Sequence, residues 1–160
     1  MKIIIELVIL CALMWMICYV CVGGDEKNIR SYDNYPDEVK QLLIKDPELC
    51  MKIKNKSSGI IFLSNVILFG VILFVFGLFV KEESFSVNFG KLLFLGEMLN
   101  LFDLVVIDML WWRHSPKIRF SCAPQPEIYL DMSNHIQSFK RAILMFIVVA
   151  LIDAFLITFM

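Results

Sequence analysis

The chain has 160 residues, of which 59% are hydrophobic and only 19% are charged, and its mean hydropathy is +0.73. Soluble domains are about 45–50% apolar and about 25% charged. The formal net charge of -1 and the pI near 6.1 exclude the usual basic nucleic-acid binder. Disorder, a disulfide-stapled secreted miniprotein and an ordinary cytosolic domain are excluded as well. The composition therefore predicts an integral membrane protein.

Four segments are apolar over the length of about 20 residues that a helix needs to span a bilayer core of about 30 Å. They predict spans over residues 3–22, 59–80, 88–112 and 139–160. A transmembrane barrel would instead show alternating segments of about ten residues. The predicted fold is all-α: a single membrane domain, built as a four-helix bundle with two cytoplasmic loops.

The first segment also has features of a secretory signal, because Lys2 precedes its apolar run. The run is longer than the h-region of about 7–15 residues that such signals contain, and Gly23 and Gly24 offer only a weak cleavage site. We therefore expect this segment to be retained as a span.

A pair of cysteines near the end of this segment, Cys18 and Cys21, has CxxC spacing. In this spacing, in size and in span number the chain resembles four-helix membrane thiol oxidoreductases, in which a loop thiol such as Cys50 or Cys122 would relay electrons. The topology predicted from the basic residues, given next, places the pair at the reducing cytoplasmic side. Free cysteines also commonly serve as small apolar residues. Thiol redox chemistry is therefore kept as an alternative.

Basic residues determine the predicted orientation. Twelve of the 15 Lys and Arg residues lie in loops 23–58 and 113–138 or at the start of the last span, which leaves Lys2, Lys81 and Lys91 for the other face. A Lys/Arg excess in short loops marks the cytoplasmic side. We expect a multi-pass plasma-membrane protein with both long loops inside and both termini outside.

The loops carry weaker signals. Pro36, followed by two acids and a partial apolar stripe, predicts a short helix that either docks a partner or membrane surface or covers the inner face of the bundle; we favour the cover. Three prolines predict an irregular second loop, packed on the membrane face or folded back toward the bundle. Trp111 and Trp112, followed by Arg113, suit an interfacial anchor.

Polar side chains inside the predicted spans are the main functional signal. A charge at bilayer depth costs at least about 2.5–3.5 kcal/mol and normally faces a cavity or a partner, although polar residues also hold helices together. Four of them lie on or beside one face of the third helix at about 100° per residue, and two others are expected at similar depths. The candidate ion or solute ligands are Asp103, Asp108, Asn100, Glu97, Asn65 and Asp153.

A weaker prediction is a divalent-metal site at the inner interface, formed by His114, His135 and Asp108, with Glu127 and Asp131 in the same loop. No HExxH or other tight ligand spacing supports it. An interfacial histidine is more often solvated or capping.

The segments Tyr35-Pro36-Asp37-Glu38-Val39 and 100–108 resemble those of small multi-span membrane proteins of gram-positive bacteria. In that group an N-x2-D-x4-D helix ends in aromatic residues and precedes a loop with a proline and a later histidine. The resemblance implies a membrane class and no activity. The matching positions here are Asn100, Asp103, Asp108, Trp111, Pro116 and His135.

The leading functional prediction is a membrane protein that binds or translocates a proton, cation or small solute along the third helix, with Asp103 and Asp108 as a charged gate and Asn100 as a midplane ligand. The alternatives are an accessory subunit of a larger membrane complex and a membrane enzyme, such as a thiol oxidoreductase. Because the chain is short for a transporter, we expect a homo-oligomer or a larger membrane partner in the lipid bilayer. No motif identifies a cofactor.

Overall fold

The computed structural model describes residues 2–53 and 57–160, and this part of the chain is helical with no β-strand beyond a single bridge between Phe120 and Ala123. The all-α prediction is confirmed. Lys54 and Lys56, which were counted among the basic residues of the first loop, lie outside the described residues. In chain order the α-helices are α1 (Lys2–Cys21), α2 (Asp25–Asn28), α3 (Asp37–Lys45), α4 (Pro47–Lys52), α5 (Ser58–Val80), α6 (Phe85–Phe102) and α7 (Ser133–Phe159).

Shorter helical turns connect these elements. The chain leaves α6 directly into a π-helix, Asp103–Trp111, which we call the π segment. The remaining connections contain 3-10 turns at Ile29–Asn34, Trp112–His114, Pro116–Ile118 and Pro126–Tyr129.

Three helical stretches of the described chain are long and apolar enough to cross a membrane: Lys2–Cys21, Ser58–Val80 and Pro126–Phe159. Only 11%, 6% and 39% of their 18-residue apolar windows are buried within the protein. Apolar surface exposed on this scale requires a non-aqueous neighbour, so these helices fit a membrane protein. The predicted spans at 3–22 and 59–80 agree with α1 and α5 to within a residue, whereas α7 begins earlier than residue 139, at Ser133.

The predicted third span, 88–112, differs most from the structure. It is not among the three apolar candidates, and beyond Phe102 it changes from α-helix to the π segment. A π-helix bonds residue i to i+5 and therefore turns less per residue than an α-helix. The prediction of one polar face through Glu97 and Asp108 assumed 100° per residue throughout, and it fails beyond Phe102 for this reason.

The chain divides into two compact units. The first comprises Met1–Ala12, Lys56–Phe102 and Phe139–Met160, and the second comprises Leu13–Asn55 and Asp103–Ser138. One boundary lies within α1 and another at the junction of α6 with the π segment.

Glycines allow close helix packing in the first unit. A Cβ atom at Gly77 would lie 2.5 Å from Ile157 Cδ1, and one at Gly96 would lie 2.6 Å from Phe146 Cδ1. Small residues at such crossings let helix backbones approach, as is typical of membrane helices. These glycines therefore allow α7 to pack closely against α5 and α6. In the sequence they are scattered and form no motif.

The second unit has a hydrophobic core formed by both predicted loops, which we call the cap cluster. Tyr35 is at its centre, with ring centroids 4.9 Å from both Trp112 and Phe120. Its hydroxyl donates a hydrogen bond of 2.9 Å to the Ile118 carbonyl, so the first loop is tied to the second. The buried members are Ile29, Tyr35, Val39, Leu43, Leu49, Trp112, Ile118, Phe120, Ala123 and Tyr129.

The cap cluster changes the expected role of one tryptophan. Trp112 is only 6% exposed and belongs to this core, so it does not form the interfacial anchor predicted for it. Trp111 instead packs with Trp15 and Tyr19 of α1, at centroid distances of 6.3 and 6.0 Å. Lys117 lies over the Tyr19 ring, 3.5 Å from its centroid, which is a cation–π contact.

Candidate functional site

A buried acid–histidine pair is the centre of the candidate site in the second unit. His135 Nδ1 lies 2.8 Å from Asp108 Oδ2, and the two side chains are only 4% and 15% exposed. At this distance the imidazole N–H donates to the carboxylate, and the pair is an ion pair whenever His135 is protonated. Asp108 comes from the π segment and His135 from the first turn of α7, so the pair joins elements that are distant in sequence.

Local hydrogen bonds fix the position of His135. Asp131 precedes α7 and accepts hydrogen bonds from the Ser133 backbone N–H and hydroxyl, at 2.9 and 3.0 Å, which is an Asx turn. Asn134 Nδ2 donates to the Tyr35 carbonyl at 2.7 Å. The first turn of α7 is thereby fastened to the cap cluster.

The Trp112 ring covers one side of His135. Their ring centroids are 4.6 Å apart with an interplanar angle of 63°, an edge-to-face arrangement. Trp112 follows the π segment directly, so the change from α to π geometry and the placement of this ring are parts of one local structure. The Trp112 ring excludes water from this side of the imidazole.

His135 retains one free ring nitrogen. Its Nε2 atom is buried and has no hydrogen-bond partner in the described part of the chain. A buried polar atom without a partner is costly and rare, and it requires an explanation. In the neutral ring with a proton on Nδ1, Nε2 is an acceptor, so the site offers a buried position for one additional proton.

Asp103 is a second carboxylate of the same region. It begins the π segment, and the charges of both Asp108 and His135 act on it. Its side chain is half-buried. A carboxylate beside an acid–histidine pair is a suitable proton donor or acceptor.

The other predicted ligands belong to the first unit. Asn100 is 5% exposed and donates through Nδ2 to the Phe139 carbonyl at 3.3 Å. Glu97 has a buried Oε1 atom without a partner among the described residues. Asp153 is 4% exposed, and its Oδ2 atom has no partner among the described residues. Glu6 resembles it, with a buried and partnerless Oε2 atom. Asn65 differs from these polar residues because its side chain is exposed on α5.

The residues predicted to bind a metal or to carry redox chemistry do not form a site in the described structure. His114 is exposed, and no group of three or more potential metal-ligating side chains occurs where the structure describes the chain. Cys18 and Cys21 both lie in the last turn of α1 as free thiols. Burial, followed by the charges of Asp46 and Asp25, raises the pKa of the Cys122 thiol, which disfavours the thiolate that an electron relay needs.

The sequence predicted Asp108 as part of a charged gate, and it grouped Asp108 with His135 only in the weaker metal-site prediction. It missed the contact of Trp112 with His135 and the π segment, which contains no proline or glycine that would signal it. Comparisons with protein-family models, with curated proteins and with solved structures find no match. The geometry of the second unit is therefore the main basis for a functional proposal.

Proposed function

We propose that the chain is a four-span membrane protein that binds a proton at Asp103, Asp108 and His135 and passes it through the membrane. The observation that carries the proposal is the buried Asp108–His135 pair with a partnerless Nε2 atom. A site of this kind can take up and release a proton without a metal or cofactor. Proton relays in membrane proteins are commonly built from such Asp, Glu and His side chains.

The proposed spans are α1, α5, α6 with the π segment, and α7. The excess of basic residues in both long loops supports a cytoplasmic cap cluster with the termini outside. Trp15, Tyr19 and Trp111 form an aromatic group of the kind that lies at a membrane interface. The proposed site would then lie near the cytoplasmic membrane interface.

π-helical geometry supports a functional role for this region. Such segments are rare, and they occur frequently at functional sites. Both Asp103 and Asp108 lie in this segment.

Proton flux into liposomes tests the proposal. Purified protein is reconstituted with a pH-sensitive dye inside, and a potassium–valinomycin potential drives proton entry. We expect Asp103→Asn to reduce the flux to the level of protein-free liposomes, because the amide cannot exchange a proton at neutral pH. Far-ultraviolet circular dichroism should show unchanged helicity, because asparagine has nearly the same size and shape as aspartate.

The matched control is Glu127→Gln, which removes an exposed carboxylate from the same unit and should leave the flux unchanged. Equal flux through Asp103→Asn and the unaltered protein would contradict the proposed role of Asp103. If liposomes that contain the unaltered protein show no more proton flux than protein-free liposomes, translocation is contradicted.

A second candidate function, an accessory subunit that docks to other membrane helices, is favoured by one observation. Asn65 is exposed on α5, a helix of which only 6% of the apolar window is buried. An amide on a lipid-facing surface is normally satisfied by another helix, for about 0.6–2 kcal/mol per contact.

Replacing Asn65 with Leu tests this candidate. We expect Asn65→Leu to weaken association with a second copy or a co-purifying membrane protein by about threefold to thirtyfold, measured by chemical cross-linking in mild detergent. Ser64→Leu, on the same helix, is the comparison variant. Unchanged cross-linking in Asn65→Leu would count against a docking role for this face.

A further inference from the structure

A cavity of about 270 Å³ lies in the first unit, away from the residues of the proton site in sequence. Three lysines line it: Lys2 at the start of α1, Lys81 just after α5, and Lys91 on α6. These were the three basic residues that the orientation argument left for the outer face. The structure brings them together around one cavity.

The position of Lys91 is fixed by the end of α5. Its Nζ atom donates to the Val80 carbonyl at 2.9 Å and to Glu82 Oε1 at 2.8 Å. The first contact satisfies a carbonyl at a helix C-terminus, where the helix dipole is negative. An ammonium group has three N–H donors, so one donor of Lys91 is left for a ligand.

The charge of the cavity is positive. Glu82 is the acid in its lining, and it is paired with Lys91. Glu6 acts electrostatically on Lys2 and Lys91, so two acids face three lysines. Lys2 and Lys81 are exposed, and neither forms an ion pair or hydrogen bond within the described parts of the chain.

The remaining wall is apolar. Ile3 and Phe79 line the cavity beside the lysines, and Val80 ends the apolar run of α5. Lys2 and Lys81 each adjoin an end of an apolar helix, which is the depth at which a transmembrane helix meets lipid headgroups. A cationic rim beside an apolar wall matches a molecule with an anionic head and a hydrocarbon body.

We propose that this cavity binds a phosphate group, carried by an anionic phospholipid whose acyl chains extend along the apolar wall. Basic pockets between transmembrane helices are suited to such headgroups. The three lysines exceed the two acids by one positive charge, and Lys91 supplies a positioned donor. The inference depends on membrane insertion but not on the proton site, so the lipid measurement and the flux measurement fail independently.

Native mass spectrometry of the full chain in mild detergent tests the proposal, with phosphatidylglycerol and phosphatidylcholine as the added lipids. We expect retention of phosphatidylglycerol over phosphatidylcholine. Each lysine replaced should weaken the binding of phosphatidylglycerol about fivefold, so Lys2→Gln/Lys81→Gln should weaken it about 25-fold. Lys2→Arg/Lys81→Arg keeps both charges and should retain the lipid.

Lys45→Gln is the control, because Lys45 is exposed on α3 in the other unit. A separate experiment adds inorganic phosphate alone and measures thermal unfolding. If phosphate protects the unaltered protein but not Lys2→Gln/Lys81→Gln, the site binds phosphate and its ligand is the free ion. Equal retention of both lipids without any phosphate protection would overturn the proposal. Equal binding by the Gln double variant and Lys45→Gln would also overturn it.

Discussion

Asp108→Ala is expected to lower the free energy of unfolding by about 1–3 kcal/mol, the usual cost of leaving a buried hydrogen-bonding group without its partner. The variant leaves both ring nitrogens of His135 without a partner, because Nε2 already lacks one within the described residues and Nδ1 would lose Asp108. Asp108→Asn keeps an acceptor oxygen in place and should cost less. Denaturant titration in detergent micelles, followed by circular dichroism, measures both values.

A double-mutant cycle separates the pair from its surroundings. His135→Phe replaces the imidazole with a ring of related shape, and Asp108→Ala/His135→Phe removes both buried polar groups. Since paired removal of buried partners is often nearly neutral, the double variant should be more stable than Asp108→Ala alone. Glu127→Gln, an exposed change in the same unit, should stay within about 0.5 kcal/mol. Additive losses in the cycle would show that the two side chains do not act as a pair.

Continuous apolar runs explain why the apolar helices could be predicted from the sequence. α1 and α5 are apolar on every side and have the length of a bilayer core, so their limits follow from hydropathy alone. α7 extends before its apolar run, because Asp131 and Asn134 anchor an additional polar turn that hydropathy does not register. The four-span arrangement stays a prediction, since α6 and the π segment are not among the apolar candidates.

The candidate site was harder to predict. The π segment has no local sequence signal, and its changed geometry invalidates the helical wheel on which the single acidic stripe depended. The cap cluster depends on contacts such as that of Tyr35 with Ile118, which join two loops that are distant in sequence. Hydrophobic periodicity describes one element at a time and cannot pair irregular loops. Asp108 and His135 could be named as functional, but only the fold pairs them.

Tyr35→Ala should destabilise the second unit by about 3–5 kcal/mol, the range for removing a large buried aromatic side chain. Tyr35 is fully buried and contacts the Trp112, Phe120 and Tyr129 rings, so its loss leaves a cavity at the centre of the cap cluster. Tyr35→Phe keeps the ring but leaves the Ile118 carbonyl without its 2.9 Å hydrogen bond, which should cost about 1–3 kcal/mol. Equal stability of the Ala and Phe variants would contradict this packing.

Alkaline unfolding gives an independent measurement of the same residue. Burial raises the pKa of the Tyr35 phenol well above its ordinary value of 10.0, because the phenolate is poorly solvated in the cap cluster. Above pH 10.0 the unfolded chain therefore loses this proton while the folded chain keeps it, so the folded state loses stability as the pH rises. Below that pH the contribution is complete. Tyr35→Phe removes this proton and should flatten the decline of stability above pH 10.0 relative to the unaltered protein. The exposed change Glu127→Gln should leave the decline unchanged.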